Sequence, residues 1–317
     1  MESPAPVALR PLSIGEIFDR AIALYVRNFV LFTLMVLTVI LPLGIVQYAL
    51  SPAQTTILQR DIQILQHPPT PSRGKVAPAA FPFTPAQFAT LGALLLLSLL
   101  LLPIATNTVA LGVASLYAGR TPELRACFAT VLRRWPRLMG VVALEVAAFG
   151  AAYVGGVTAI MLAAVIGVLL ARVAIAAAVV LGILAVLALL AWLLLIVMML
   201  LSASFALFGV TMENLSVVPA FTAGMTRIFN RVGFKRSIGM GLAYFALDFG
   251  VGIVSFTASA LFLLVLKSPI LQVAVATVVN AVLTAFLTVL LAVFYYDVRI
   301  RREGFDLEAD LQRLSAP

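Results

Sequence analysis

Long apolar runs, separated by short polar segments, give this chain its pattern. A run of about 20 apolar residues is long enough to cross the hydrocarbon core of a bilayer as a helix. One apolar stretch, 138–210, is long enough for two or three such helices. The pattern therefore predicts an all-α, polytopic membrane protein that forms a single integral domain over residues 1–317. The single spans are predicted at 29–50, 86–117, 237–266 and 270–296.

The distribution of basic residues decides how many spans lie in 138–210. Cytoplasmic loops of membrane proteins collect Lys and Arg. With two spans in this stretch, 16 of the 21 Lys and Arg fall on one side of the membrane. A third span would move the basic segment 227–236 to the other side and weaken the bias. We therefore predict six transmembrane helices, cytoplasmic N and C termini, an outer Pro-rich loop at 51–85 and Arg172 at an outer turn.

Composition argues against most soluble functions and most enzyme classes. The chain is 63% hydrophobic and 11% charged, whereas soluble domains carry about 25% charged residues. Its one histidine, His67, excludes a His-Glu-x-x-His metal site, and neither a Gly-x-Ser-x-Gly motif nor a phosphate-binding loop occurs. We expect no catalytic residues, no bound metal and no cofactor. The net charge of +8 indicates contact with anionic lipid rather than with nucleic acid.

A charged, amphipathic segment precedes the first span. Ser13 and Glu16 form a Ser-x-x-Glu capping box, which favours a helix start. Apolar residues then recur at helical spacing, with Phe18 and Tyr25 on the apolar face and Asp19 on the polar one. This pattern is typical of a helix that lies in the membrane interface. Similar segments begin near Thr121 and at 216, so three cytoplasmic interfacial helices are predicted.

Each amphipathic segment ends in an aromatic residue, one further residue and an arginine, and each precedes two spans. This indicates three helix-plus-hairpin units at about 10–118, 119–210 and 211–300, although topology alone could produce the same layout. A cytoplasmic tail follows at 297–317, with a short apolar face expected after Asp306. Arginines at these positions are expected to contact lipid headgroups. They are Arg27, Arg137, Arg231, Arg299, Arg301 and Arg302.

Both ends of the chain resemble one bacterial family. The stretches "LRPLSIGEIFDRAIALYVRNF" and "FYYDVRIRREGFDLE", together with "SVVPAFTAGMTRIFNRVGF" in between, are similar to the membrane-domain family of glycerophosphoryl diester phosphodiesterases. The fused members of that family take their chemistry from a separate barrel domain, which is absent here. The resemblance therefore implies a membrane protein without esterase activity. The excess of Arg over Lys, 18 against 3, is also typical of a G+C-rich bacterial genome.

Four polar residues inside the spans form the candidate intramembrane site. Glu145 and Asp248 would lie deep in the third and fifth spans, where a charge is costly and by default suggests function. Asn107 and Asn280 are the polar groups that they would meet. The functional interpretation is a polar pathway for a proton, an ion or a lipid headgroup. The structural interpretation, which we favour, is that these groups are neutral or hydrogen-bond across helices as packing contacts.

Two further features have a structural and a functional interpretation each. A ribbon of small residues on the third span, from Ala147 to Gly167 at intervals of four, suits close helix packing. We expect packing within the chain rather than against a partner. Cys127, on the second amphipathic segment, is interpreted as an apolar-face residue rather than an acylation site.

The sequence favours a non-enzymatic, multi-pass scaffold or accessory protein of the bacterial cytoplasmic membrane. Its partners would be membrane lipids with anionic headgroups, and a membrane protein or a second copy of the chain. The alternative is a transporter or lipid-handling protein that uses Glu145 and Asp248.

Overall fold

The computed structural model describes residues 11–50, 85–171, 175–230, 233–266 and 269–303. Within these ranges the chain folds into eight helices and no strand. They are α1 (Ile14–Arg27), α2 (Phe29–Leu50), α3 (Pro85–Tyr117), α4 (Leu124–Ala171), α5 (Ile175–Met212), α6 (Val217–Phe229), α7 (Phe234–Leu266) and α8 (Pro269–Glu303).

Several sequence predictions fall on residues outside these ranges. They concern residues 51–84 of the predicted Pro-rich loop, which include His67, and residues 304–317 of the predicted tail. They also concern Arg172 at the predicted outer turn and the predicted headgroup residue Arg231.

Six of the helices are long and apolar enough to cross a membrane, namely α2, α3, α4, α5, α7 and α8. The predicted number of spans and the division of 138–210 into two helices are therefore confirmed. The sixth span is longer than expected, because α8 continues past Tyr296 to Glu303. Its last two turns carry the basic residues that the sequence assigned to the tail.

Two of the three amphipathic segments form separate short helices. The Ser13 side chain accepts a hydrogen bond from the Glu16 amide at 3.2 Å, and the Glu16 carboxylate accepts one from the Ser13 amide at 2.6 Å. The predicted capping box is thus confirmed. Asn28 ends α1, since its side-chain amide donates to the Leu24 carbonyl at 3.0 Å and competes with the helix ladder. The third segment, α6, begins after Ser216, whose side chain makes no capping hydrogen bond.

The second segment is not a separate helix, so the prediction of three separate interfacial helices is wrong at this point. Its helix begins at Leu124, after the predicted start at Thr121-Pro122, and runs without a break through Pro136 to Ala171. Pro136 removes the hydrogen bond to the Leu132 carbonyl. Leu132 is exposed, which leaves that carbonyl near the surface, where polar groups can satisfy it.

The three segments nevertheless bury equivalent positions. In each, the fourth and eighth residues of the helix are buried, although their chemistry differs. These pairs are Ile17 and Ala21, Cys127 and Val131, and Ala220 and Gly224. The shared register agrees with the three-unit interpretation, whose boundaries stay a prediction.

The packed core lies at one end of the bundle, which we call the terminal end because Leu12 and Arg301 both lie there. The six long helices alternate in direction, and α8 is the central one, packing against α1, α2, α3 and α7. Among the described residues, none between Val146 and Leu169 of α4 or between Ile175 and Val197 of α5 is fully buried. The distant halves of α4 and α5 therefore project from the core with apolar side chains on their surface.

Candidate functional site

The centre of the terminal end is the last part of α8. Every residue from Leu287 to Val298 is buried. Successive residues of a helix point about 100° apart, so neighbours in the sequence reach different helices. The Tyr296 ring stacks on Tyr117 of α3, with centroids 4.4 Å apart, and the side chains of Tyr295 and Asp297 enter two separate polar clusters.

The first cluster surrounds Asp297, whose side chain is fully buried. Its Oδ1 accepts a hydrogen bond from the backbone amide of Leu12 at 2.7 Å. Arg236 of α7 approaches Oδ2 at 2.9 Å, and Arg301, one turn further along α8, approaches Oδ1 at 3.1 Å. Both arginines also donate to the Leu12 carbonyl. The cluster therefore joins the start of α1, the start of α7 and the end of α8.

The second cluster surrounds Glu213, which follows α5. Arg227 of α6 forms a bidentate pair with it, with both N–O distances at 2.9 Å. The Tyr295 hydroxyl donates to the same carboxylate and accepts from Arg227 at 2.8 Å. Arg299 lies 3.4 Å from Glu213 Oε1. Burial alone would raise the pKa of Glu213, but hydrogen bonds from Arg227 and Tyr295 and the charges of Arg227 and Arg299 lower it below its ordinary value.

A tight turn after α5 places Glu213. The amides of Glu213 and Leu215 both donate to the Gly209 carbonyl at 3.2 Å, and Asn214 takes a left-handed conformation with φ of 59°. Asparagine tolerates this conformation better than most residues. Arg137 of α4 donates to the Asn214 side chain at 3.0 Å. Arg134 donates to the last carbonyls of α5, where a cation also complements the helix dipole.

The structure does not bring the four predicted intramembrane residues together. Asn107 accepts from the Thr211 hydroxyl at 2.8 Å and donates to the Pro103 carbonyl, so it joins α3 to α5. Asn280 donates to the Ala276 carbonyl of its own helix. Asp248 is exposed on α7. Glu145 is buried, and neither of its oxygens has a hydrogen-bond partner among the described residues.

The predicted headgroup arginines divide into two groups. Arg27 and Arg137 are exposed at the terminal end. Arg299 and Arg301 form the ion pairs with Glu213 and Asp297, and Arg302 donates to the Thr226 carbonyl at 2.7 Å. The arginines of α8 thus have protein partners, and their contact with lipid stays a prediction.

Sequence reasoning missed the two acids that organise the terminal end. Glu213 and Asp297 border apolar runs, and in the sequence they look like ordinary polar boundary residues. The available signal for Asp297 was its position before three arginines in "YYDVRIRR". No local pattern indicates that Glu213 pairs with Arg227, because α6 must first fold back against α5.

The small-residue ribbon on α4 faces outward for most of its length, so the expectation of packing within the chain is wrong there. Ala147, Ala151, Gly155 and Ala159 are all exposed. The contact between α4 and α5 uses another face of α4, where the Trp192 indole donates to the Ala152 carbonyl at 3.0 Å and covers Gly156. The last ribbon residue, Gly167, lies near Leu181 of α5.

The chain matches no protein-family model, no curated protein and no solved structure. Its class therefore rests on the fold and the site. The protein is an all-α, polytopic membrane protein with six helices that are long enough to span a bilayer. Its core is held at one end by two clusters that each pair an acid with two arginines; of the two acids, Asp297 is fully buried and Glu213 is partly buried.

Proposed function

We propose that the protein is a non-enzymatic scaffold or accessory protein that holds anionic lipid at its terminal end. This end faces the cytoplasm in a bacterial inner membrane. The resemblance to the phosphodiesterase membrane-domain family supports the proposal only for the membrane-spanning part, and no catalytic activity is inferred from it.

The charge distribution at the terminal end carries the proposal. All 13 Lys and Arg in the described ranges fall at this end, together with six Asp and Glu. Anionic lipids of the cytoplasmic leaflet attract such basic surfaces at about 1 kcal/mol per Lys or Arg. The same excess of basic residues supports the cytoplasmic orientation of this end.

Several of these cations are available to lipid, and three of them lie on different helices. Arg27, Arg133 and Lys235 are exposed and form no hydrogen bond or ion pair with the other described residues. They lie at the end of α1, near the start of α4 and at the start of α7. The paired arginines hold the helices together, whereas these three present charge to the surface. A headgroup phosphate is the ligand that matches them, since it lies at the depth where apolar spans begin.

The transport hypothesis requires Glu145 and Asp248 to face one route. Glu145 is enclosed on α4, whereas Asp248 is exposed on α7. This arrangement favours the scaffold hypothesis over a shared polar pathway.

The test is lipid binding by a triple variant, Arg27→Gln, Arg133→Gln and Lys235→Gln. Native mass spectrometry would count phosphatidylglycerol and phosphatidylcholine molecules bound to the purified protein. We expect the wild type to prefer phosphatidylglycerol and the variant to bind it about 100-fold more weakly, if each charge contributes about 1 kcal/mol.

A matched control removes acids from the same surface. Asp19→Asn with Glu123→Gln changes two exposed carboxylates and should leave phosphatidylglycerol binding unchanged or stronger. Equal binding of both lipids by the wild type, or full binding by the triple variant, would contradict the proposal.

A further inference from the structure

Glu145 is the one buried acid in the described structure that has no partner. Both of its carboxylate oxygens are shielded, and neither has a hydrogen-bond partner among the described residues. It lies eight residues beyond Arg137 on α4, which corresponds to about 12 Å along the helix. It is therefore well inside the apolar part of the span.

No neighbouring helix supplies a counter-ion for Glu145. The described part of α4 packs against α3, α5 and α6. Helix α5 contains no ionisable side chain, and α3 contains only Tyr117, at its far C-terminal end. The one charged residue of α6, Arg227, is held by Glu213 and Tyr295. On α4 itself the nearest ionisable residues, Arg137 and Tyr153, are each eight positions away.

A second polar group without a hydrogen-bond partner lies within one helical turn of the same level. The contacts of Arg134 with Val210 and of Trp192 with Ala152 fix the antiparallel register of α4 and α5. Interpolation between them places Glu145 opposite Met199 of α5, which is three residues, or about 4.5 Å along the helix, from Ser202. The Ser202 hydroxyl is also buried without a hydrogen-bond partner.

These observations point to a proton as the ligand. A carboxylate enclosed in apolar surroundings without a counter-ion is strongly disfavoured, whereas the neutral acid is tolerated. A metal ion or a headgroup amine needs room and several oxygen ligands, and the shielded oxygens offer neither. A proton needs no volume.

We propose that Glu145 is an intramembrane proton-binding site between α4 and α5, within about one helical turn of the buried Ser202 hydroxyl. The carboxylate takes one proton from water and becomes a neutral acid when the helices close on it. Release returns the proton to water and restores the charge, so it requires water to enter between α4 and α5. Proton binding is thereby coupled to the packing of this helix pair, independently of lipid binding at the terminal end.

Infrared spectroscopy of protein with ¹³C-carboxyl glutamate, reconstituted in phosphatidylcholine vesicles, tests the proposal directly. At neutral pH the wild type should show the C=O stretch of one neutral glutamic acid. Glu145→Gln should lose that band, and Asp248→Asn should keep it. A wild-type spectrum that contains only carboxylate bands would overturn the proposal, and this measurement needs no variant to fold.

A second measurement follows the coupling to packing. Thermal stability of the wild type should fall as the pH rises from about 4, the ordinary range of a glutamate, to the pH at which folded Glu145 releases its proton, because over this interval the folded state holds a proton that the unfolded state has already lost. Glu145→Gln imitates the neutral acid and should lack this fall. Parallel pH profiles for the two proteins would contradict the coupling.

Discussion

Asp297 is the residue whose replacement should most disturb the terminal end. Asp297→Asn keeps the size of the side chain and removes its charge. The variant loses a charge-assisted hydrogen bond from the Leu12 amide and leaves Arg236 and Arg301 without their carboxylate. In the asparagine, an NH2 group also replaces one carboxylate oxygen. This hydrogen-bond donor cannot accept from Arg236 or Arg301.

The size of the effect follows from burial. Removing one partner of a buried ion pair costs about 3–5 kcal/mol. The side chains of Arg236 and Arg301 are 23% and 38% exposed, so solvent relieves part of their unpaired charge. The expected loss is therefore near the lower limit, at about 3 kcal/mol. For a chain of this size it should lower Tm by roughly 6 °C.

The assay is thermal unfolding of the purified protein in detergent, followed by tryptophan fluorescence. Hydrogen exchange at the Leu12 amide gives a local measurement, and about 3 kcal/mol corresponds to roughly 100-fold faster exchange. The matched control is Asp19→Asn, because Asp19 is exposed on α1. A Tm for Asp297→Asn equal to that of the control would refute the reasoning.

Three further predictions follow from other contacts. Because the pKa of Glu213 is lowered, its stabilising contribution is present above the ordinary range of a glutamate and is lost as the pH falls below about 4. A Glu213→Gln variant should be less stable at neutral pH and should show a flatter acid profile in thermal unfolding; an unchanged profile would contradict this. A methyl group at Gly224 would lie 2.6 Å from the Ser202 carbonyl oxygen, so Gly224→Ala should cost about 1–3 kcal/mol. Gly252→Ala, where nothing lies within 4 Å, should cost nothing, and equal losses would argue against the close approach of α5 and α6. In a Cys127→Ser background, cysteines at Ser72 and Ser315 should react with impermeant reagents from opposite sides of the membrane; labelling from one side would exclude six spans.

Local patterns in the sequence determined the helices and several of their ends. The apolar runs account for α2 and for the division of 138–210, because an uninterrupted run of that length can satisfy its backbone in lipid only as a helix. The capping box at Ser13 and Glu16 fixes the start of α1 through contacts only three residues apart. Such short-range interactions can be predicted without knowing the fold.

At Pro136, local sequence patterns were insufficient to predict whether the helix ends. Proline usually ends a helix, yet α4 continues through it, whereas α1 ends at Asn28. The amphipathic pattern identified both segments correctly. The pattern did not show that the first segment would form a helix separate from its span, whereas the second would be continuous with its span. That difference depends on which backbone carbonyls lie near the surface and on how each segment packs.

Only the tertiary structure decided the polar contacts. Leu12 and Asp297 are separated by 285 positions in the sequence, and Glu213 reaches Tyr295 across 82. Their pairing depends on how α8 packs against the neighbouring helices, and the hydrophobic periodicity of the sequence does not predict that packing. The same is true of Glu145, since its sequence position shows depth in the span, but only the packing of α3, α5 and α6 shows that no cation accompanies it. The ion pairs of Arg236 with Asp297 and of Arg227 with Glu213 join residues of different segments, so only the packing of the helices brings these partners together.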